Sequence, residues 1–426
     1  MKKLFRLMTL AAATAVGLDA ANAALNIPSD GSDGALVITS DTTIDLSQAA
    51  TADWDADNSA NAGKGIYDSN KWAIVFKYSS VTIQGGATVT FKNHASRAPV
   101  VWLVQGDATI NGTVSLNGQD QAPSPMLAEP GPGGFRGGAG SYSPGAIESP
   151  GFGPGGGAID ISLDGFGNFA GGGGSYGGLG NTAGGAGVKY GNPSLLPLIG
   201  GSGGAGTGSR PNNSAAGGGA GGGAMLVACA GTLSVSGTVR ANGGAGNGSG
   251  GGSGGGIRLI CDTLSGNGNV NCLGGLGTLY GGVGRIRLER VTNASSMSNL
   301  LPDPSVVNLT SGATPQIWVP TNGPTVKVVS VGEVPAPVDP RAGFGAIGAD
   351  VVLPQVTNTT VVVETVNVEQ ASVVKVRATP RANGQFSEAT ATVTTQVSED
   401  PLVLRWTANL PVLNGYSAVQ VQVVRP

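Results

Sequence analysis

The sequence has one histidine and three cysteines among 426 residues, and only 12% of its side chains are charged. Each scarcity removes a class of function. Any Ser-His-Asp or Cys-His nucleophile would have to use His94. That residue stands in Lys92-Asn93-His94-Ala95-Ser96-Arg97 beside a turn, with no Gly-x-Ser-x-Gly elbow nearby, and reads as a structural or solvent-facing histidine. Zinc sites with the usual Cys and His spacing are absent. Cys229, Cys261 and Cys272 are a sparse, odd set for a disulfide framework. They read as buried small side chains, with one bridge in an oxidising compartment left open. The 23 basic residues are outnumbered by 26 acidic ones and do not cluster, which leaves no electrostatic footprint for nucleic acid. No segment reaches the ~20 apolar residues that a transmembrane helix requires.

The first 23 residues combine a basic start (Lys2, Lys3, Arg6), an apolar run over residues 7–18 and then Ala21-Asn22-Ala23. That order predicts a secretory signal over 1–23 and an exported mature chain, soluble or attached to the cell surface. Removing it takes away three bases and Asp19, so the formal charge moves from −3 to −5.

Behind the signal the composition divides the chain. Residues 24–120 read as short β-branched strands between turns, for example 73–76, 81–83, 88–91 and 100–104. Residues 131–290 hold 57 of the 75 glycines. From 321 to 426 glycine falls away and Val and Thr alternate again. No stretch keeps a helical period, so the expected fold class is all-β.

A repeat organises the first two zones. Gly112-Thr113-Val114-Ser115-Leu116-Asn117-Gly118 recurs as Gly237-Thr238-Val239-Arg240-Ala241-Asn242-Gly243 and as Gly268-Asn269-Val270-Asn271-Cys272-Leu273-Gly274. Each copy follows an apolar strand: 100–104, 224–228 and 257–260. A further strand at 285–288 begins a copy that is then left incomplete. Such units, with glycine or asparagine at the corners, fit a parallel β-helix whose coils stack at about 4.8 Å and share a core. Alternation puts Val114, Leu116, Val239, Ala241, Val270 and Cys272 inside, and Thr113, Ser115, Thr238, Arg240, Asn269 and Asn271 outside. An antiparallel sandwich with similar hairpins is the competing architecture. The β-helix coils are assigned to 24–120 and 224–290, with 291–320 as a capping segment that covers open strand edges.

Between the coils lies a glycine-rich insert, 121–223. It contains Glu129-Pro130-Gly131-Pro132-Gly133-Gly134-Phe135-Arg136-Gly137-Gly138, Tyr190-Gly191-Asn192-Pro193 and Gly200-Gly201-Ser202-Gly203-Gly204. A plain linker has no use for its interspersed aromatic and apolar residues, so extended polyglycine-like segments packed against the coils are expected. Collagen is excluded, because Gly-X-Y does not repeat. At these residues, and at the Gly-Gly-Gly-to-strand joins at Gly223 and Gly256, the chain resembles a family of secreted glycine-rich β-helix surface proteins of environmental bacteria, usually without an assigned function. The resemblance covers roughly residues 70 to 290 and implies a surface or extracellular role, with no catalytic residues to carry over. The glycine-rich loops also resemble, in composition, the polyglycine layers of phage tail-tip adhesins. Residues 321–426, with about seven candidate strands and Pro or Gly turns, fit an immunoglobulin-like or fibronectin-like sandwich.

The enzyme worth weighing is a polysaccharide lyase or hydrolase, which needs clustered carboxylates. From 131 to 290 the acids are only Glu148, Asp160, Asp164, Asp262 and Glu289, and they are scattered. Arg258, Arg285 and Arg287 read as solvated strand faces. Asp53, Asp55 and Asp57 alternate as in a calcium loop, but Asn58 and Lys64 stand where an EF-hand needs Gly and Glu, so a solvated loop is the first reading and Ca2+ the second. Tyr142, Tyr176 and Tyr190 are candidate sugar-stacking residues if exposed. The expected function is therefore a non-enzymatic structural or adhesive protein, able to self-associate, to form fibres or to meet cell-surface and glycan partners. The alternatives are a glycan-active enzyme and a carbohydrate-binding module.

Overall fold

The computed structural model describes residues 24–426 except 57–58, 124–125, 142–147, 160–170, 182–186, 209–214, 342–347, 383 and 413. Asp57 and Tyr142 lie outside the described residues. The molecule is nearly all β, 2% helical and 40% strand, in several sheets, one of which curls into a half-barrel.

Three parallel ladders build the first part. In one, Ala73–Tyr78, Val100–Val104, Ala224–Cys229, Gly256–Ser265, Arg285–Asn293 and Ser305–Asn308 pair in that order. A second runs through Ala35–Ile38, Ser80–Ile83, Ala108–Ile110 and Thr232–Val235, which pairs with the far end of Gly256–Ser265. The third joins Thr42–Asp45, Thr88–Lys92, Thr113–Ser115, Thr238–Arg240, Asn269–Asn271 and Asn299–Leu301. Register makes columns of like residues, such as Phe76, Trp102, Val227, Leu259 and Leu288, and Val89, Val114, Val239, Val270 and Leu300. The inward columns meet in one apolar cluster that also takes Leu116, Ala241 and the three thiols. All six residues assigned inward by alternation are buried, whereas five of the six assigned outward are half-exposed, Ser115 being the exception.

Register also runs across the insert. Val114 pairs with Val239 and Trp102 with Val227, although more than a hundred residues separate them in sequence. The insert is therefore a sideways excursion from a stack that resumes where it stopped.

The stack does not break off at residue 288. Asn299–Leu301 and Ser305–Asn308 each add a rung, so part of the segment expected to cap the stack prolongs it. Here Pro302-Asp303-Pro304 replaces the glycine corner of the earlier copies, which hid the copy from sequence comparison. Ile317 and Trp318, further on, pack against the outer face of the first ladder, joining Leu25, Ile27 and Trp54 in a second apolar cluster with Val101, Leu226 and Ile260; the Trp54 and Trp318 ring centroids are 5.4 Å apart.

The last hundred residues form one antiparallel sheet in the order Val334–Pro335, Thr325–Val331, Asn358–Val366, Leu402–Pro411, Ser387–Glu399, Val373–Pro380 and Ser417–Val424. The 13-residue strand Ser387–Glu399 pairs on both sides and carries the curl, wrapping the sheet around Val361, Val363, Val374, Val376, Leu404 and Trp406. The segment 351–353 is irregular.

Candidate functional site

The insert is built by backbone hydrogen bonding. Residues 216–223 show how. Gly218 and Gly221 donate to Gly138 and Phe135, Gly219 and Gly222 to Gly250 and Ser253, and Ala220 and Gly223 to Gln119 and Leu116. The direction of donation repeats every third residue, whereas a β-strand can serve only two sides. Three residues per turn without internal bonds is the polyproline II conformation, here in glycine. Residues 249–256 follow the same rule: Gly251 and Gly254 reach Leu279 and Gly282, Gly252 and Gly255 reach Gly244 and Ala241, and Gly250 and Ser253 reach Ala205 and Ser202. In 200–207, Gly201, Gly204 and Thr207 reach Gly222, Gly219 and Ala216. The segments thus form a cross-linked body with hydrogen bonds radiating in three directions.

Only glycine fits at most of its positions. A Cβ on Gly203 would stand 1.9 Å from the Arg136 carbonyl oxygen, one on Gly252 1.9 Å from that of Ala220, and one on Gly255 1.8 Å from that of Gly223. The absent side chain leaves a Cα–H aimed at each oxygen, at roughly the 3.3–3.6 Å of a Cα–H···O contact. Serine enters where its hydroxyl replaces a missing bond: Ser253 Oγ accepts from the Ser202 amide, and Ser202 Oγ from Gly155.

Tyr176 and Tyr190 anchor this body and are not sugar platforms. Their exposures are 0% and 7%, and their ring centroids lie 4.7 Å apart over Leu195. Tyr190 Oη donates to the Gly200 carbonyl at 2.6 Å, Arg285 lies over the Tyr176 ring, and burial pushes both phenols up. A second anchor is Glu129, which holds Arg97 of the coils and Arg136 of the insert at 3.0 and 2.7 Å. Sequence reading counted aromatics in the insert without seeing that glycines surround them.

The other named residues are placed as follows. Asp53 Oδ1 accepts from the Asp55 amide, a local turn, and no group of three metal-ligating side chains occurs among the described residues. His94 is buried; its Nδ1 lies 2.8 Å from Ser96 Oγ and its ring 4.5 Å from that of Tyr67. Burial, and then nearby Arg341, lowers its pKa. Arg258 is not a solvated residue but is buried, 2.8 Å from Glu289, which also holds Arg287 at 3.0 Å. Arg285 Nη2 donates to the Tyr190 carbonyl. The three cysteines are free and buried, and burial raises all three thiols, Cys261 to about 12.

One surface was missed altogether. Leu179, Val188, Leu276, Tyr280 and Val283 are exposed, Leu276 by 68% and Tyr280 by 53%. Backbone bonds bring most of them to one rim of the glycine body: Gly178 donates to Val283 at 2.8 Å, Asn181 to Tyr280 at 2.9 Å and Gly246 to Leu276 at 2.7 Å. Large apolar residues left exposed side by side make this rim the candidate contact surface. In sequence they are isolated among glycines in two distant segments, and no periodicity joins them. Compared with protein-family models, curated proteins and solved structures, the chain shows no match.

Proposed function

We propose that this chain is an exported, non-enzymatic structural or adhesive protein whose contact surface is the apolar rim of its glycine body. On this reading the three parallel ladders are coils of a parallel β-helix shaft, and the curled C-terminal sheet is an immunoglobulin-like or fibronectin-like docking domain. The observation that carries the proposal is the rim itself: Leu179, Tyr280 and Val283, exposed on two segments that the Gly178 and Asn181 amides tie to each other and the Gly281, Gly282 and Gly284 amides tie to Gly275, Gly174 and Cys272. Rigid support lowers the entropy lost on contact. These ionisable groups have structural tasks, since buried Glu289 pairs with both Arg258 and Arg287, and half-buried Glu129 joins Arg97 to Arg136. The test is a Leu179→Ser/Tyr280→Ser/Val283→Ser variant, compared with the parent for binding to bacterial surfaces and immobilised glycans, alongside a reducing-end assay on acidic polysaccharides. Binding that falls with the variant, without turnover, is expected. Turnover would replace the proposal with the enzyme, and binding indifferent to the three residues would remove the rim.

A further inference from the structure

The C-terminal sheet closes imperfectly on itself. Its curl brings Thr325–Val331 up to Ser417–Val424, yet among the described residues no backbone hydrogen bond joins the two strands. Val326, Val328, Val419 and Val421 stand directly opposite Thr365, Val363, Ala378 and Val376 of the neighbouring strands, all buried, and therefore share the inward face. Depth of burial separates the two groups. Val363 and Val376 are 0% exposed, whereas Val328, Val419 and Val421 are half-buried and Val326 is 37% exposed. The core is packed along the middle strands and hollow between the outer ones.

The hollow is a cavity of 1160 Å³, bordered by these four valines together with Val331 and Leu353. It exceeds the roughly 300–1,000 Å³ of ordinary small-molecule pockets, so a ligand of some length fits. The charged side chains at its border are already engaged. Glu364 takes both Lys327 and Arg405, Asp339 takes Arg341, and Asp350 accepts from the Arg341 amide. Thr359 also lines the cavity; it is 6% exposed, and its hydroxyl has no hydrogen-bond partner. A carbonyl or carboxylate oxygen at the end of an otherwise apolar ligand would supply one.

We infer that this cavity binds a single acyl chain. Aliphatic walls gain most by covering an aliphatic surface, and a chain with free rotation at each carbon follows an irregular outline. A sugar or nucleotide would leave hydroxyls or charges unpaired against valine, which costs more than it returns. The inference does not depend on the rim of the glycine body. A free fatty acid and the acyl chain of a membrane lipid offer the same chemistry, and the experiment separates them.

The purified chain from Ala24 onward is titrated with cis-parinaric acid, a fluorescent fatty acid, and then with decanoate, myristate and stearate as competitors; a parallel arm floats the protein with phosphatidylcholine vesicles. Saturable displacement is expected, tightening by up to about fourfold per added methylene until the cavity is full. Val328→Trp/Val421→Trp sets two indoles in the cavity and should weaken binding by about tenfold or more, with circular dichroism confirming the sheet. Val421→Thr keeps the side-chain shape, so it covers the case in which the tryptophans disturb folding, and should weaken binding about threefold. Gln422→Ala, on the opposite face of the same strand, should bind as the parent does. Displacement assigns a free acid, whereas flotation without displacement, lost in the double variant, assigns a membrane lipid. No binding in either arm overturns the inference. So does binding that ignores chain length or persists undiminished in both cavity variants, which would place the ligand outside the cavity.

Discussion

Gly219→Ala probes the glycine body where backbone meets backbone. Its added Cβ would lie 1.9 Å from the Gly244 carbonyl oxygen, 2.6 Å from the attached carbon and 3.0 Å from the Ala245 carbonyl carbon. None of these atoms can rotate away, so the two segments must separate. Three hydrogen bonds hold them and their neighbours: Gly219 to Gly250, Gly244 to Ala220 and Gly204 to Gly219, all between 2.8 and 2.9 Å. At about 0.5–1.5 kcal/mol each, loosening them costs about 2–4 kcal/mol. The alanine returns about 0.4–1 kcal/mol by restricting the unfolded chain. Gly85→Ala is the matched control, since its Cβ meets nothing nearer than the Asn111 carbonyl oxygen at 3.9 Å. It keeps the unfolded-state gain without the collision. Urea unfolding monitored by circular dichroism should separate the variants by about 2–4 kcal/mol, with Gly85→Ala at or slightly above the parent. Equal midpoints for the two would refute the argument that close backbone contact, rather than glycine content, holds the body together.

Amide exchange should be slow across 200–207 and 216–223, as in the ladders; exchange at loop rates would show a body that opens freely. Glu289→Gln leaves buried Arg258 without its countercharge and should cost about 3–5 kcal/mol in the same unfolding assay. The free thiols should resist alkylation in the native protein at pH 8 and react in denaturant. Because ionisation is suppressed only in the folded state, with Cys261 raised to about 12, stability should fall as pH rises past the ordinary thiol value of 9.0. His94 has the opposite sign: its folded pKa is lowered, so the unfolded chain binds the proton more readily and stability should drop below about pH 6.5. His94→Gln should flatten the stability profile between about pH 7 and pH 5, and an unchanged slope would clear the residue of that role.

The alternation of Thr113-Val114-Ser115-Leu116 and its copies sufficed to assign the buried columns, because strand geometry puts successive side chains on opposite faces whatever the sheet becomes. The Asn and Gly corners marked most of the rungs. Where Pro302-Asp303-Pro304 replaced them the copy was overlooked, since a corner tolerates several residue types and the pairing strand is only three residues long. Whether Tyr176 and Tyr190 are exposed was not legible in the sequence, because glycine neighbours give no local sign of burial. Their seclusion comes from segments such as 200–207, folded over them from elsewhere in the chain.

Composition and period thus determined by themselves that the chain is β-rich, that one face of each strand is apolar, and that the insert must either remain unpacked or use its backbone as its packing surface. Local spacing carries that information, because side-chain direction along a strand follows sequence position. The tertiary structure alone decided which carbonyls the insert's amides meet, that Arg258 is buried against Glu289, and that Leu179 and Tyr280 share a rim. A glycine has no side chain with which to announce its partner, so which carbonyl its amide meets depends on how distant segments are brought together.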